Sequence, residues 1–154
     1  MRSLAVIATC LLLVTTSLSA QSKAPESAVQ WGAVPSSFPP GGMLALLSGD
    51  PNKPGMFTAL LSMPNGYKIS PYFLRSDEHV EVKQGVLLVG VGSKLDLKKT
   101  RAMAVGDTAT APAGAPHYLA AQGATIVSVT TMGPYVMTYV NPMDQPGRPF
   151  PFGY

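Results

Sequence analysis

The sequence predicts an all-β protein, an antiparallel double-sheet barrel. Three observations carry the prediction. Short apolar runs of four to nine residues succeed one another between residues 43 and 140. Glycine and proline, 15 of each, fall between the runs as turn formers. No stretch beyond the N-terminal leader holds helical periodicity bounded by caps. About ten short strands joined by hairpin-like turns close into a two-layered antiparallel barrel.

The leader sets the expected compartment. Arg2 supplies a positive charge, residues 4–14 are apolar apart from Thr9, and residues 15–20 are small and polar apart from Leu18. That three-part layout is a secretory signal peptide over residues 1–20, cut after Ala20. Its apolar run falls short of the ~20 residues that span a bilayer, and Thr9 before Cys10 argues against a lipoprotein anchor. The expected localisation is periplasmic or secreted, with no membrane attachment after cleavage. Cleavage removes the only cysteine, Cys10, so the mature chain holds together without a disulfide. Removing Arg2 leaves 10 basic against 8 acidic residues, with no basic cluster beyond Lys98, Lys99 and Arg101. Nucleic acid is therefore not an expected partner.

The elements follow in order. Residues 21–42, rich in Ser, Pro and Gly, read as a linker that becomes an ordered arm near Trp31. The barrel is expected over 43–140. Strands are expected at 43–47, 56–63, 67–74, 78–83, 86–91, 101–105, 108–111, 117–120, 124–132 and 135–140. Gly49-Asp50-Pro51-Asn52, Pro64-Asn65-Gly66, Gln84-Gly85 and Gly106-Asp107 supply turns. Residues 93–99 form a single helical turn or a loop. The tail, 141–154, holds four prolines and three aromatics and is expected to run extended over the surface. Residues 86–91 are apolar on both faces. That implies a covered sheet, under the N-terminal arm or under a second subunit in a homodimer.

Two spacings carry a family resemblance. Gly66 is followed by five residues, then Tyr72, Phe73 and Leu74, three residues, Glu78, six residues and Gly85. Gly106 is followed by five residues, then Pro112 and Gly114, two residues, His117, and three residues to Ala121. Both patterns resemble the two motifs of the cupin superfamily, in register with each other, over roughly residues 31–146. The resemblance implies a jelly-roll-like barrel. It further implies a metal held by two His and a Glu of the first motif and a His of the second. This chain keeps Glu78 and His117 as the metal ligands so implied, and has Tyr72 and Leu74 where the two imidazoles belong.

The pocket is thus expected from Tyr72, Leu74, Glu78 and His117. Residues 72 and 74 share one strand face, and by the same alternation His79 points away from Glu78. Two ligands fall below the three that a catalytic zinc or a non-haem iron normally takes from the protein. The expectation is no cofactor, with a divalent metal as the alternative. Without metal, a buried Glu78 must be paired, and a hydrogen bond to Tyr72 or His117 would do it. Trp31, Phe57, Tyr67 and Tyr118 are expected in the core rather than in a ligand pocket. With two histidines and no cysteine after cleavage, no Ser-His-Asp or Cys-His triad is available, and no phosphate-binding glycine loop is present. The function implied is a metal-free module, non-enzymatic or weakly active, that binds a small molecule or a partner. The alternative is a metal-dependent cupin enzyme of oxygenase or isomerase type using Glu78 and His117.

Overall fold

The computed structural model describes residues 29–147. The expected signal peptide, most of the linker and the last seven residues of the tail lie outside the described residues. Nine strands run in chain order: β1 (Gly32–Ala33), β2 (Met43–Ser48), β3 (Gly55–Met63), β4 (Lys68–Phe73), β5 (Glu78–Val91), β6 (Arg101–Met103), β7 (Thr108–Ala111), β8 (His117–Gly133) and β9 (Thr138–Tyr139). All pairings are antiparallel.

Two strands are longer than the sequence suggests. Residues 78–83 and 86–91, expected as separate strands, form one strand, β5, of 14 residues. Residues 117–120 and 124–132 likewise merge into β8, of 17 residues. Gly85 (φ +74°) and Gly123 (φ +79°) do not reverse the chain. They sit where the β5–β8 ladder breaks register, between Gln84↔Ile126 and Val86↔Gln122. Such irregularities bend a strand without ending it. At this corner Thr125 Oγ1 donates to Val86 O at 3.0 Å. A Cβ on Gly85 would run into Ala124 O, so the bend tolerates only glycine there.

The double-sheet layout comes from these bends. Beyond the corner in β8, its second half pairs with β3 and the first half of β5, with β2 and β1 outside β3 and β7 outside β5. Before the corner, the first half of β8 pairs with β4 and the second half of β5, with β9 and β6 as the outer strands. One core serves both layers. Leu61, Met63, Val80, Val82, Val127 and Val129 enter it from one layer, and Ile69, Tyr72, Leu87, Met103, Leu119 and Ala121 from the other.

Two local expectations change, and a third settles on one of its two alternatives. The strand expected at 135–140 shortens to β9, because only Thr138 and Tyr139 find partners on β4. Within the tail, Pro142–Asp144 closes a 3-10 turn, with Asn141 Oδ1 accepting from Met143 N at 3.1 Å. Leu97–Lys99 forms the helical turn of the 93–99 segment, capped by Asp96 through Lys98 N at 3.0 Å. That segment also answers the two-faced apolarity of residues 86–91. Tyr118 lies over Gly90 on the outer side of β5, almost fully buried, and its hydroxyl donates to Asp96 O at 2.9 Å. The chain thus covers this part of the sheet with its own ring and loop, while Val91 at the strand end stays 80% exposed.

Candidate functional site

Three strand ends converge at one end of the barrel. Tyr72 lies at the end of β4, Glu78 begins β5 and His117 begins β8. The register brings them together, since Tyr72 pairs with His117 across β4–β8. All three side chains are buried, Glu78 being only 2% exposed. Glu78 Oε2 accepts from Tyr72 Oη at 3.0 Å and meets His117 Nε2 at 2.8 Å. The Tyr72 and His117 rings lie 4.3 Å apart, centre to centre. Glu78, expected to bond Tyr72 or His117, bonds both.

The segment 112–116 aims the histidine. Ala113 N donates to Asp77 Oδ1 at 2.8 Å, Gly114 N to Leu74 O at 2.8 Å and Ala115 N to Pro112 O at 3.0 Å. His117 Nδ1 lies 3.0 Å from Ala115 O. A carbonyl oxygen only accepts, so Nδ1 carries a proton. A single hydrogen bond then joins Nε2 to Glu78 Oε2 at 2.8 Å. Burial alone would lower the His117 pKa, but the hydrogen bond and charge of Glu78, aided by Ala115 O, outweigh it and raise the pKa. Burial first, and then the Glu78 charge, pushes the Tyr72 phenol well above its ordinary range. Tyr72 is thus a neutral donor and not a phenolate.

The donor set does not match the four ligands that the motif spacing implies. Leu74 is buried in the core and brings no donor. His79 is exposed, with Nδ1 3.0 Å from Thr110 Oγ1, so alternation holds and no bulge turns it inward. Among the described residues no three of His, Cys, Asp and Glu come together. Nor does any buried side-chain nitrogen or oxygen among them lack a partner. Glu78 and His117 spend their facing atoms on each other.

Two cavities flank this cluster. The first, about 70 Å³, is almost wholly apolar. It is walled by Phe38, Phe57, Leu61, Ile69 and Tyr135 among others, with Tyr72 and Glu78 at its polar end. Phe57 is buried in the core, as expected, and also lines this cavity. Tyr67 and Tyr118 are buried, and Trp31 is half-buried. The arm closes this cavity through Pro35 and Phe38, held by Tyr67 Oη donating to Pro39 O and by Tyr139 Oη donating to Ser37 O at 2.8 Å. The second cavity, about 360 Å³, is an open mouth bounded by β5, β6, β7 and the 112–116 segment, with His117 in its wall. Leu74 lines neither cavity.

No protein-family model matches this chain, and no curated protein does. Solved structures do. An RmlC-like cupin from Shewanella frigidimarina matches at a TM-score of 0.55 and 12% identity, over 73% of this chain and 91% of that one. The fold is that of a cupin. The same cupin fold matches the polyketide cyclase RemF of Streptomyces resistomycificus at a TM-score of 0.64 and 13% identity, over 79% of this chain and 87% of that one. A putative acetylacetone dioxygenase from Methylibium petroleiphilum matches at 0.60 and 17% identity, over 92% of this chain and 90% of that one. These likenesses concern the cupin fold and assign no activity, since one fold carries many.

Two features of the cupin interior lay beyond the sequence reading. One is the arm as a wall of the apolar cavity, which no local pattern announces. The other is Arg101 at the mouth. Its signal was present: Arg101 and Met103 are two apart on one strand, and Met103 is fully buried, so both share the inner face.

The arm carries a pH prediction. Burial pushes the phenols of Tyr67 and Tyr139 up to about 12, whereas an unfolded phenol ionises near 10. The stability they contribute is complete below about pH 10. It is lost as pH rises from 10 towards 12, because the unfolded chain then releases protons that the folded chain retains. The urea midpoint should stay level up to about pH 10 and fall beyond it. Phenolate absorbance rising fully around pH 10 in a chain still folded by circular dichroism would contradict this.

Proposed function

We propose that this chain is an exported cupin-fold protein that binds a small molecule in its barrel without a metal centre. The observation that carries the reading is the Glu78 carboxylate, paired at 2.8 Å with His117 and at 3.0 Å with Tyr72. A buried carboxylate and a buried imidazole each need a partner, and here each serves as the other's. The phenol of Tyr72 completes a small polar cluster beside an apolar cavity. Concave, mostly apolar space with a few convergent polar groups is the usual form of a small-ligand site. Export rests on the residue 1–20 leader. The rival reading, a metal-dependent enzyme of oxygenase or isomerase type, draws on the same Glu78 and His117 as its ligands.

The separating experiment is metal analysis of the untagged protein purified from its natural compartment, beside native mass spectrometry of the same sample. The expected outcome is less than about one tenth of an equivalent of any transition metal, with no change in His117→Ala. Near-stoichiometric Mn, Fe, Ni, Cu or Zn that disappears in His117→Ala would overturn the metal-free reading. Native mass spectrometry should show an organic adduct that dissociates on unfolding.

A further inference from the structure

The second cavity has a chemical character of its own. Its floor is aliphatic, from Val80, Val89, Ala109 and Leu119, and its rim carries Lys99 and Arg101. No Asp or Glu is among its lining residues. The position of Arg101 follows from strand register. Leu87 pairs with Met103 and Val89 with Arg101. Since Leu87 and Met103 are fully buried, alternation places Arg101 over the interior at the barrel mouth. Its Nη2 donates to Thr108 O at 3.2 Å, which holds the guanidinium along the edge of β7. Lys99 reaches the rim from the 3-10 turn, with Nζ loosely placed 3.9 Å from Asp96 Oδ2, both groups being exposed. The Glu78 carboxylate is engaged by Tyr72 and His117.

Two cations above an apolar floor, with no anion in the lining, concentrate negative charge at this mouth. A guanidinium presents a planar fork that matches a carboxylate. The volume, about 360 Å³, falls at the small end of the ~300–1,000 Å³ typical of ligand pockets. We infer that the mouth bounded by β5, β6 and β7 binds a small organic carboxylate, its head on Arg101 and Lys99 and its apolar body on Val80, Val89 and Leu119. This deepens the small-molecule reading above and rests on it.

The test is calorimetric titration of the mature chain with benzoate and cyclohexanecarboxylate, beside benzamide and cyclohexanecarboxamide. The acids should bind, and the amides should bind about tenfold more weakly or less, as expected for loss of a charged hydrogen-bonded pair. Arg101→Met should weaken the acids about tenfold and Lys99→Gln a few-fold. Arg101→Lys, which keeps the charge without the fork, should retain an intermediate affinity. Lys83→Gln, on the outer face and paired with Glu81 at 2.6 Å, should change nothing. Circular dichroism checks that Arg101→Met is folded, and Lys99→Gln gives an independent reading if it is not. Amides binding as well as acids would overturn the carboxylate assignment and leave small-molecule binding intact. Displacement of benzoate by inorganic phosphate at equal concentration would also overturn it, reducing the mouth to a general anion patch. Binding by neither series would overturn it as well, and the native mass spectrum then decides the broader reading independently.

Discussion

Glu78→Ala should lower the stability of the mature chain by about 3–5 kcal/mol, the usual cost of removing one partner from a buried charged pair. The substitution strands two groups at once. Tyr72 Oη and His117 Nε2 both bond to Glu78 Oε2, and their rings are buried where water has little access. Glu78→Gln should cost less, about 1–3 kcal/mol, because the amide oxygen still accepts from one neighbour. The apolar triple variant Tyr72→Phe, Glu78→Leu, His117→Leu should sit far closer to the parent than Glu78→Ala does. Replacing a whole buried ionic cluster by apolar side chains is often neutral or stabilising. Urea denaturation of the three variants at pH 7 makes the comparison. A loss below about 1 kcal/mol for Glu78→Ala at unchanged m-value would mean the cluster contributes no stability.

Gly90→Ala should destabilise by about 2–3 kcal/mol, the range of overpacking in a filled interior. The backbone of Gly90 is ordinary extended strand, so conformational strain is not the reason. The new Cβ would occupy the space of the Tyr118 ring, against Cε2, Cζ and Oη. Tyr118 is fully buried and its hydroxyl holds Asp96 O at 2.9 Å, so the ring cannot move without releasing the loop that carries Lys99. Benzoate affinity should therefore fall along with stability. Gly90→Ala combined with Tyr118→Leu should cost less than the sum of the two single changes, since the smaller side chain vacates the contested space. Strict additivity of the two would show that Gly90 and Tyr118 do not meet.

The two predictions mark different limits of sequence reading. Glu78 and His117 were legible as a pair through the resemblance of their two motifs to the cupin pattern, and strand alternation alone placed His79 outside. The metal question turned on residue identity, because Tyr72 and Leu74 offer no imidazole. Gly90 was invisible as a contact: the glycine and the tyrosine above it lie on different strands, and nothing near Gly90 in the chain names Tyr118. Phe57 packs in the core as its apolar strand implied, but its second role as a cavity wall was not legible, because an aromatic in an apolar strand looks the same in both settings. The two corners were misread for a related reason. Gly85 and Gly123 carry the signal of a reversal, and only the partner strand running past both shows that the chain bends instead.

By itself, then, the sequence determined the class of fold, the position of most strands and the outward face of His79. Those properties depend on period-two patterning and on turn residues, which act over a few positions. The tertiary structure alone decided that Tyr72, Glu78 and His117 share one oxygen, that the arm walls an apolar cavity, and that Arg101 and Lys99 both line the mouth. Each of these depends on ladder register between distant residues, His117 opposite Tyr72 and Arg101 opposite Val89. Register is a property of the paired strands together, set by how both pack against the common core.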